Sequence, residues 1–79
     1  MISNLESTET HILETIGRNI SDLRHSARLS RTQLAELLGI SYQQLYKYER
    51  GQNRISAEYI VYLKFYLNAG YDEFFKGLF

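Results

Sequence analysis
SRTQLAELLGISYQQLYKYERG, residues 30–51, carries two helix starts and two helix stops in close succession. Ser30 followed three positions later by Gln33 is a capping-box pattern, in which each side chain satisfies the other residue's unpaired amide at a helix start. Leu34, Ala35 and Leu38 then share one helical face, and Gly39 supplies the left-handed residue that stops the helix after about two turns. Ser41 with Gln44 repeats the capping pattern, so a further helix starts within three residues and runs to about Arg50. Leu45 and Tyr48 form its inward pair, and Gly51 is again a C-terminal stop.

Before this stretch, Leu13, Ile16, Ile20, Leu23 and Ala27 recur at spacings of three and four, which predicts a first helix ending near Arg28. Residues 1–10 show no sustained apolar period and are expected to form a flexible N-terminal segment, leaving 11–79 as the domain. Ser56 caps a fourth helix that lasts to Asn68 and Gly70, with Glu58 well placed against the dipole of its first turn. A short fifth helix follows, for which Asp72 is the expected cap ahead of Phe74, Phe75 and Leu78. The 79 residues, about half of the ~150 usual for a domain, leave room for one domain. Proline is absent and glycines number five, so an all-α fold of five helices on short links is expected. With no cysteine, disulfides and cysteine-based zinc sites are excluded, and stability must come from packing or from a partner chain.

The nine basic and nine acidic residues cancel, but their distribution does not. Residues 1–16 hold three glutamates and no base, whereas residues 17–54 hold seven bases against Asp22, Glu36 and Glu49. Residues 55–79 are slightly acidic, with Lys64 and Lys76 against Glu58, Asp72 and Glu73. No secretory signal fits the polar, acidic start, and the longest apolar run, Tyr59 to Leu63, is far short of the ~20 residues of a membrane span. A soluble, cytoplasmic protein with no membrane partner is expected.

Two short helices joined across Gly39-Ile40-Ser41, with small Ala35 where they approach, have the spacing of a helix-turn-helix, a spacing that a loose αα-hairpin shares. Leu34, Ala35, Leu38, Gly39, Ile40, Leu45 and Tyr48 together sharpen the match. With these residues the chain resembles the phage repressor and Cro (Xre-like) family. IGRNISDLRHSARLSRTQLAELLGISYQQLYKYERG, residues 16–51, looks like that family's first three helices, and residues 56–75 look like its fourth and fifth.

The resemblance implies that helix 3 enters the major groove of double-stranded DNA, with Tyr42, Gln43, Gln44 and Lys47 as base readers. The inward direction of Leu45 and Tyr48 leaves 43, 44 and 47 on the outer side, where Gln suits adenine and Lys suits guanine acceptors. A purely polar, capping role for Gln43 and Gln44 is the competing reading. Phosphate contacts are expected from Arg31 at the start of helix 2 and from Gln52, Asn53 and Arg54 in the following loop. The chain departs from the family at Arg31, where Gln is common, and at Ile55, where proline is frequent. The resemblance also implies a structural ion pair between Arg24 and Glu49 that orients helix 3.

Helix 4 is apolar nearly all round, since only Glu58 and Lys64 are charged between Ala57 and Leu67. Ile60, Leu63 and Leu67 form its core stripe, while Tyr59, Tyr62 and Tyr66 lie on a second face. Together with Phe74, Phe75, Leu78 and Phe79 they read as a homodimer surface, against the simpler alternative of tyrosines lying wet over the protein. His11 and Glu14 stand one helical turn apart without a third ligand, Asp72-Glu73 is helix-start chemistry, and no nucleophile, base and orienter coincide. The expectation is a non-enzyme without metal or cofactor: a homodimeric transcriptional regulator, most simply a repressor, on a pseudo-palindromic operator. The alternative is a protein-interaction module of the same fold, such as an antitoxin or anti-repressor, with a protein partner.

Overall fold
The computed structural model describes the backbone of residues 2–78 and the side chains of residues 8–78. Five helices follow in order: α1 (Ile2–Ser26), α2 (Arg31–Leu38), α3 (Tyr42–Glu49), α4 (Ala57–Leu67) and α5 (Tyr71–Phe74). All described regular structure is helical, as expected. α1 begins at Ile2 and not near residue 11, so residues 2–10 of the expected N-terminal segment belong to the helix. The residue pattern missed it because apolar periodicity reports burial, not helicity, and no glycine or proline interrupts the chain before Gly17. At about 1.5 Å per residue this helix sets the long dimension of the molecule, 40 Å against 24 and 20 Å.

α1 stops at Ser26, slightly before the expected Arg28, which itself turns left-handed at φ 59°. Ala27, expected on the buried stripe, is therefore beyond the helix and exposed. The capping signals place α2 and α3 as read. Ser30 Oγ accepts from the Gln33 amide at 3.0 Å while Gln33 Oε1 accepts from the Ser30 amide at 2.8 Å. Gly39, at φ 70°, ends α2 in the left-handed conformation that a Cβ would disfavour. Ser41 caps α3 through the Gln44 amide at 3.0 Å. Ser56 caps α4 as expected, and Asn68 closes it at φ 51°. For α5 the N-cap is Gly70 and not Asp72, and the Glu73 carboxylate takes the Gly70 amide at 2.7 Å. Asp72 is the second residue of the helix, where its charge still suits the dipole.

Ile20, Leu34, Leu45, Leu63 and Phe74 are fully buried, with Ala35, Ile60, Leu67 and Ala69 completing the core. Ile55, standing where the related family often has proline, packs against this core. Gly17 sets the distance between α1 and α3: a Cβ there would stand 2.4 Å from the Tyr48 carbonyl oxygen, so no other residue permits this approach. Asn19 Nδ2 donates to the Phe74 and Lys76 carbonyls, each at 2.9 Å, and ties the end of the chain to α1.

Candidate nucleic-acid interface
α2 and α3 project from the core as a helix-turn-helix whose orientation is set by buried charge. Arg24 Nε donates to Glu49 Oε2 at 2.7 Å and Arg24 Nη2 to Glu49 Oε1 at 3.1 Å, the two-pronged pairing that a guanidinium fork makes with a carboxylate. The Glu49 side chain is 2% exposed and that of Arg24 6%. Arg24 Nη1 also donates to the Leu29 carbonyl at 3.0 Å, holding the link into α2. The expected ion pair is therefore present, and it is buried.

It has a third member. Arg31 Nε donates to Glu49 Oε1 at 3.0 Å and Arg31 Nη1 to the Tyr42 hydroxyl at 2.9 Å. Its guanidinium carbon stands 5.4 Å from the Tyr42 ring centroid and 5.2 Å from that of Tyr46. Burial works against the Arg31 charge, but the bonds to Tyr42 and Glu49 outweigh it and hold its pKa above the ordinary arginine value. Arg31 thus joins the start of α2 to both ends of α3. It was expected to be a phosphate grip, and the structure gives its Nε and Nη1 donors structural partners as well. No sequence signal linked Arg31 to Glu49, because only the turn between the helices brings them together.

Gln43 and Lys47 are exposed on the outer side of α3, and Tyr42 is exposed with its hydroxyl held by Arg31. Gln44 is half-buried, with its side chain beside Tyr48 one turn on; the return half of the expected capping box is not formed. Burial, with Tyr59 beside it, pushes the Tyr48 pKa up although the neighbouring Gln44 side chain opposes the shift. Gln52 and Asn53 are exposed in the turn after α3. Arg54, also exposed, donates through Nε to Glu9 Oε1 at 2.6 Å, so this expected phosphate residue is engaged by α1. Tyr46 and Arg50 were missed. Their i+3 and i+7 spacing from Gln43 places both toward the outer face, a signal readable in the sequence.

The expected dimer surface needs correction. Phe74 is 0% exposed and belongs to the core, because α5 turns it inward beneath α1 and α4. Phe75 also packs against the core, Leu78 is half-buried, and Phe79 lies outside the described residues. Half-buried Tyr59 stacks obliquely with Tyr48, ring centroids 6.0 Å apart. Tyr62 and Tyr66 remain exposed as expected, and they are joined by Val61 and by Phe65, which is 79% exposed. Positions 61, 62, 65 and 66 make one continuous stripe along α4. No helix among the described residues is long and apolar enough to cross a membrane.

A family model described as a helix-turn-helix domain matches residues 15–73, which span all but the outer parts of this architecture. The chain belongs to that family. The relationship agrees with the resemblance to the repressor and Cro type drawn from residues 16–51. Among proteins similar to this member of the family is an HTH-type transcriptional regulator of Rickettsia conorii, 46% identical over 63 residues, which are 80% of this chain and 50% of the relative. A transcriptional regulator in the ATPase CF(0) region of Rhodospirillum rubrum is 37% identical over 86% of this chain and 63% of its own length. The chain thus spans about half the length of the Rickettsia relative. The fold is similar to that of the restriction-modification controller protein C.AhdI from Aeromonas hydrophila, with a TM-score of 0.73 and 32% identity over 80% of this chain and 96% of that one.

Proposed function
We propose that this chain is a sequence-specific double-stranded-DNA-binding transcriptional regulator that acts in the cytoplasm as a homodimer. In this reading α3 lies in the major groove of each half of a pseudo-palindromic operator, and occupancy represses. The observation that carries it is the pairing of a helix presenting Gln43, Lys47 and Tyr42 outward with an Arg24–Glu49–Arg31 network, in which Arg24 and Glu49 are buried and Arg31 half-buried, that keeps the helix in one orientation. A base-reading helix needs such support, because hydrogen bonds to base edges tolerate little misplacement. The names of the relatives as transcriptional regulators and of the structural neighbour as a controller support the same reading.

Base contacts are assigned to Tyr42, Gln43 and Lys47, with Gln44 positioned by Tyr48. Phosphate contacts are assigned to Arg31, Gln52, Asn53 and Arg54. The reading gives the chain binding chemistry and no catalysis. The apolar stripe on α4 favours a second copy as its occupant, since aromatic residues are enriched at interface cores. Fluorescence anisotropy against random duplex at two salt concentrations, followed by selection from a random pool, tests the proposal. Salt-dependent binding and a selected site of two inverted halves about one helical turn apart are expected; salt-independent or absent binding overturns it.

A further inference from the structure
A cleft of about 400 Å³ opens between α1 and α3, walled by Glu14, Arg18, Arg31, Tyr46, Glu49 and Arg50. Its charge is lopsided. Both Glu49 oxygens are occupied by Arg24 and Arg31, which leaves Glu14 as the carboxylate facing three guanidinium groups. Among the described residues neither Arg18 nor Arg50 takes part in an ion pair, and both are exposed. Arg31 and Arg50 stand 5.2 and 5.9 Å from the Tyr46 ring centroid, so the ring is a platform for two cations. A stacked guanidinium keeps its N–H edge available, and that edge matches the oxygens of a phosphate.

Position supplies the second argument. Arg50 follows Lys47 by three residues and Gln43 by seven, on one stripe of α3 and its cap. A duplex seated against Gln43 and Lys47 therefore passes the mouth of the cleft. We propose that the cleft takes a backbone phosphate of bound DNA, gripped by Arg18 and Arg50 over Tyr46, which extends the contact surface from the helix-turn-helix onto α1. The inference rests on the DNA-binding reading above.

The test is a salt series of anisotropy titrations with the full chain and random duplex. Arg18→Gln and Arg50→Gln should each weaken binding roughly three- to tenfold and lower the magnitude of the log-log salt slope by about one per half-site, with the selected half-site unchanged. Glu14→Gln, which removes the opposing carboxylate while keeping the side-chain shape, should tighten binding roughly two- to fivefold. That gain is a result no loss of folding can imitate. If the wild type binds with a salt-dependent affinity and all three variants match it in affinity and slope, the cleft assignment falls and the DNA reading stands. If the wild type itself shows no salt-dependent binding, both fall.

Discussion

Around Glu49 the molecule buries charge, and along α4 it leaves apolar surface in water. The first region contains two arginines and a glutamate packed between α1, α2 and α3, with both carboxylate oxygens bonded. The second presents Val61, Tyr62, Phe65 and Tyr66 in a stripe that the 79-residue core does not cover. Each breaks the ordinary rule of polar outside and apolar inside. Buried charge is tolerated where its partners are complete, and it then specifies one arrangement of helices. Exposed aromatic surface is tolerated where another surface covers it. The contrast therefore separates a region finished within one chain from a region left uncovered, which the proposed homodimer would complete.

The largest expected effect breaks the first region. Glu49→Ala leaves Arg24 buried without its partner and should cost about 3–5 kcal/mol of stability, as removal of one member of a buried pair does. Glu36→Ala, at an exposed position of α2, should stay within about 0.5 kcal/mol. Chemical denaturation of the two variants side by side checks this, and equal shifts would refute the structural role of the network.

Breaking the second region should leave folding intact and change assembly. Tyr62→Glu with Phe65→Glu should give a folded monomer in sedimentation, with operator affinity lower by roughly a hundredfold because the two half-sites no longer act together. Phe74→Glu, by contrast, should unfold the protein, since that ring is in the core. A wild type that sediments as a monomer at high micromolar concentration would remove the premise.

The smallest effects sharpen the difference between reading and gripping on the polar side. Gln43→Ala should cost roughly 1–3 kcal/mol on the operator and relax preference at one or two positions. Arg54→Ala should weaken operator and random duplex alike and reduce the salt slope by about one per half-site. Because Arg54 is engaged by Glu9 in the free protein, Glu9→Gln should move affinity in the opposite direction, by no more than the ~0–1 kcal/mol of an exposed pair. Selection from a random duplex pool, repeated for each variant, distinguishes the two behaviours. A changed half-site for Arg54→Ala, or an unchanged one for Gln43→Ala, would reverse their assignments.

Much of the fold was legible because its signals are local. Ser30 with Gln33, Gly39, Ser41 and Ser56 act within one helical turn, and the structure uses each where the pattern placed it. Ile20, Leu34, Leu45, Ile60 and Leu63 announced the core through their spacing. The start of α1 at Ile2 was not legible, since the leading turns lack an apolar stripe and periodicity is blind to an uncovered helix. On α3, the outward placement of Gln43 and Lys47 followed from the inward direction of Leu45 and Tyr48, while their reading as base contacts came from the family resemblance. Gln44 was not separated from them, because its half-buried position depends on how α3 packs on the rest of the molecule.

Five helices in order, the caps of α2, α3 and α4, the helix-turn-helix spacing, the basic middle of the chain and the apolar excess of α4 are all written in the sequence. These follow from interactions between residues a few positions apart, whose geometry the helix prescribes. Helix packing, and no local signal, brings Arg31 beside Arg24 on Glu49, joins Arg54 to Glu9, turns Phe74 inward while Phe65 faces out, and places Arg18 and Arg50 in one cleft. Those outcomes depend on the angle and depth at which helices pack, set in part by the absence of a side chain at Gly17. Contacts across such packing bring together residues from separate helices, and no local periodicity encodes which of several available charges or rings will meet.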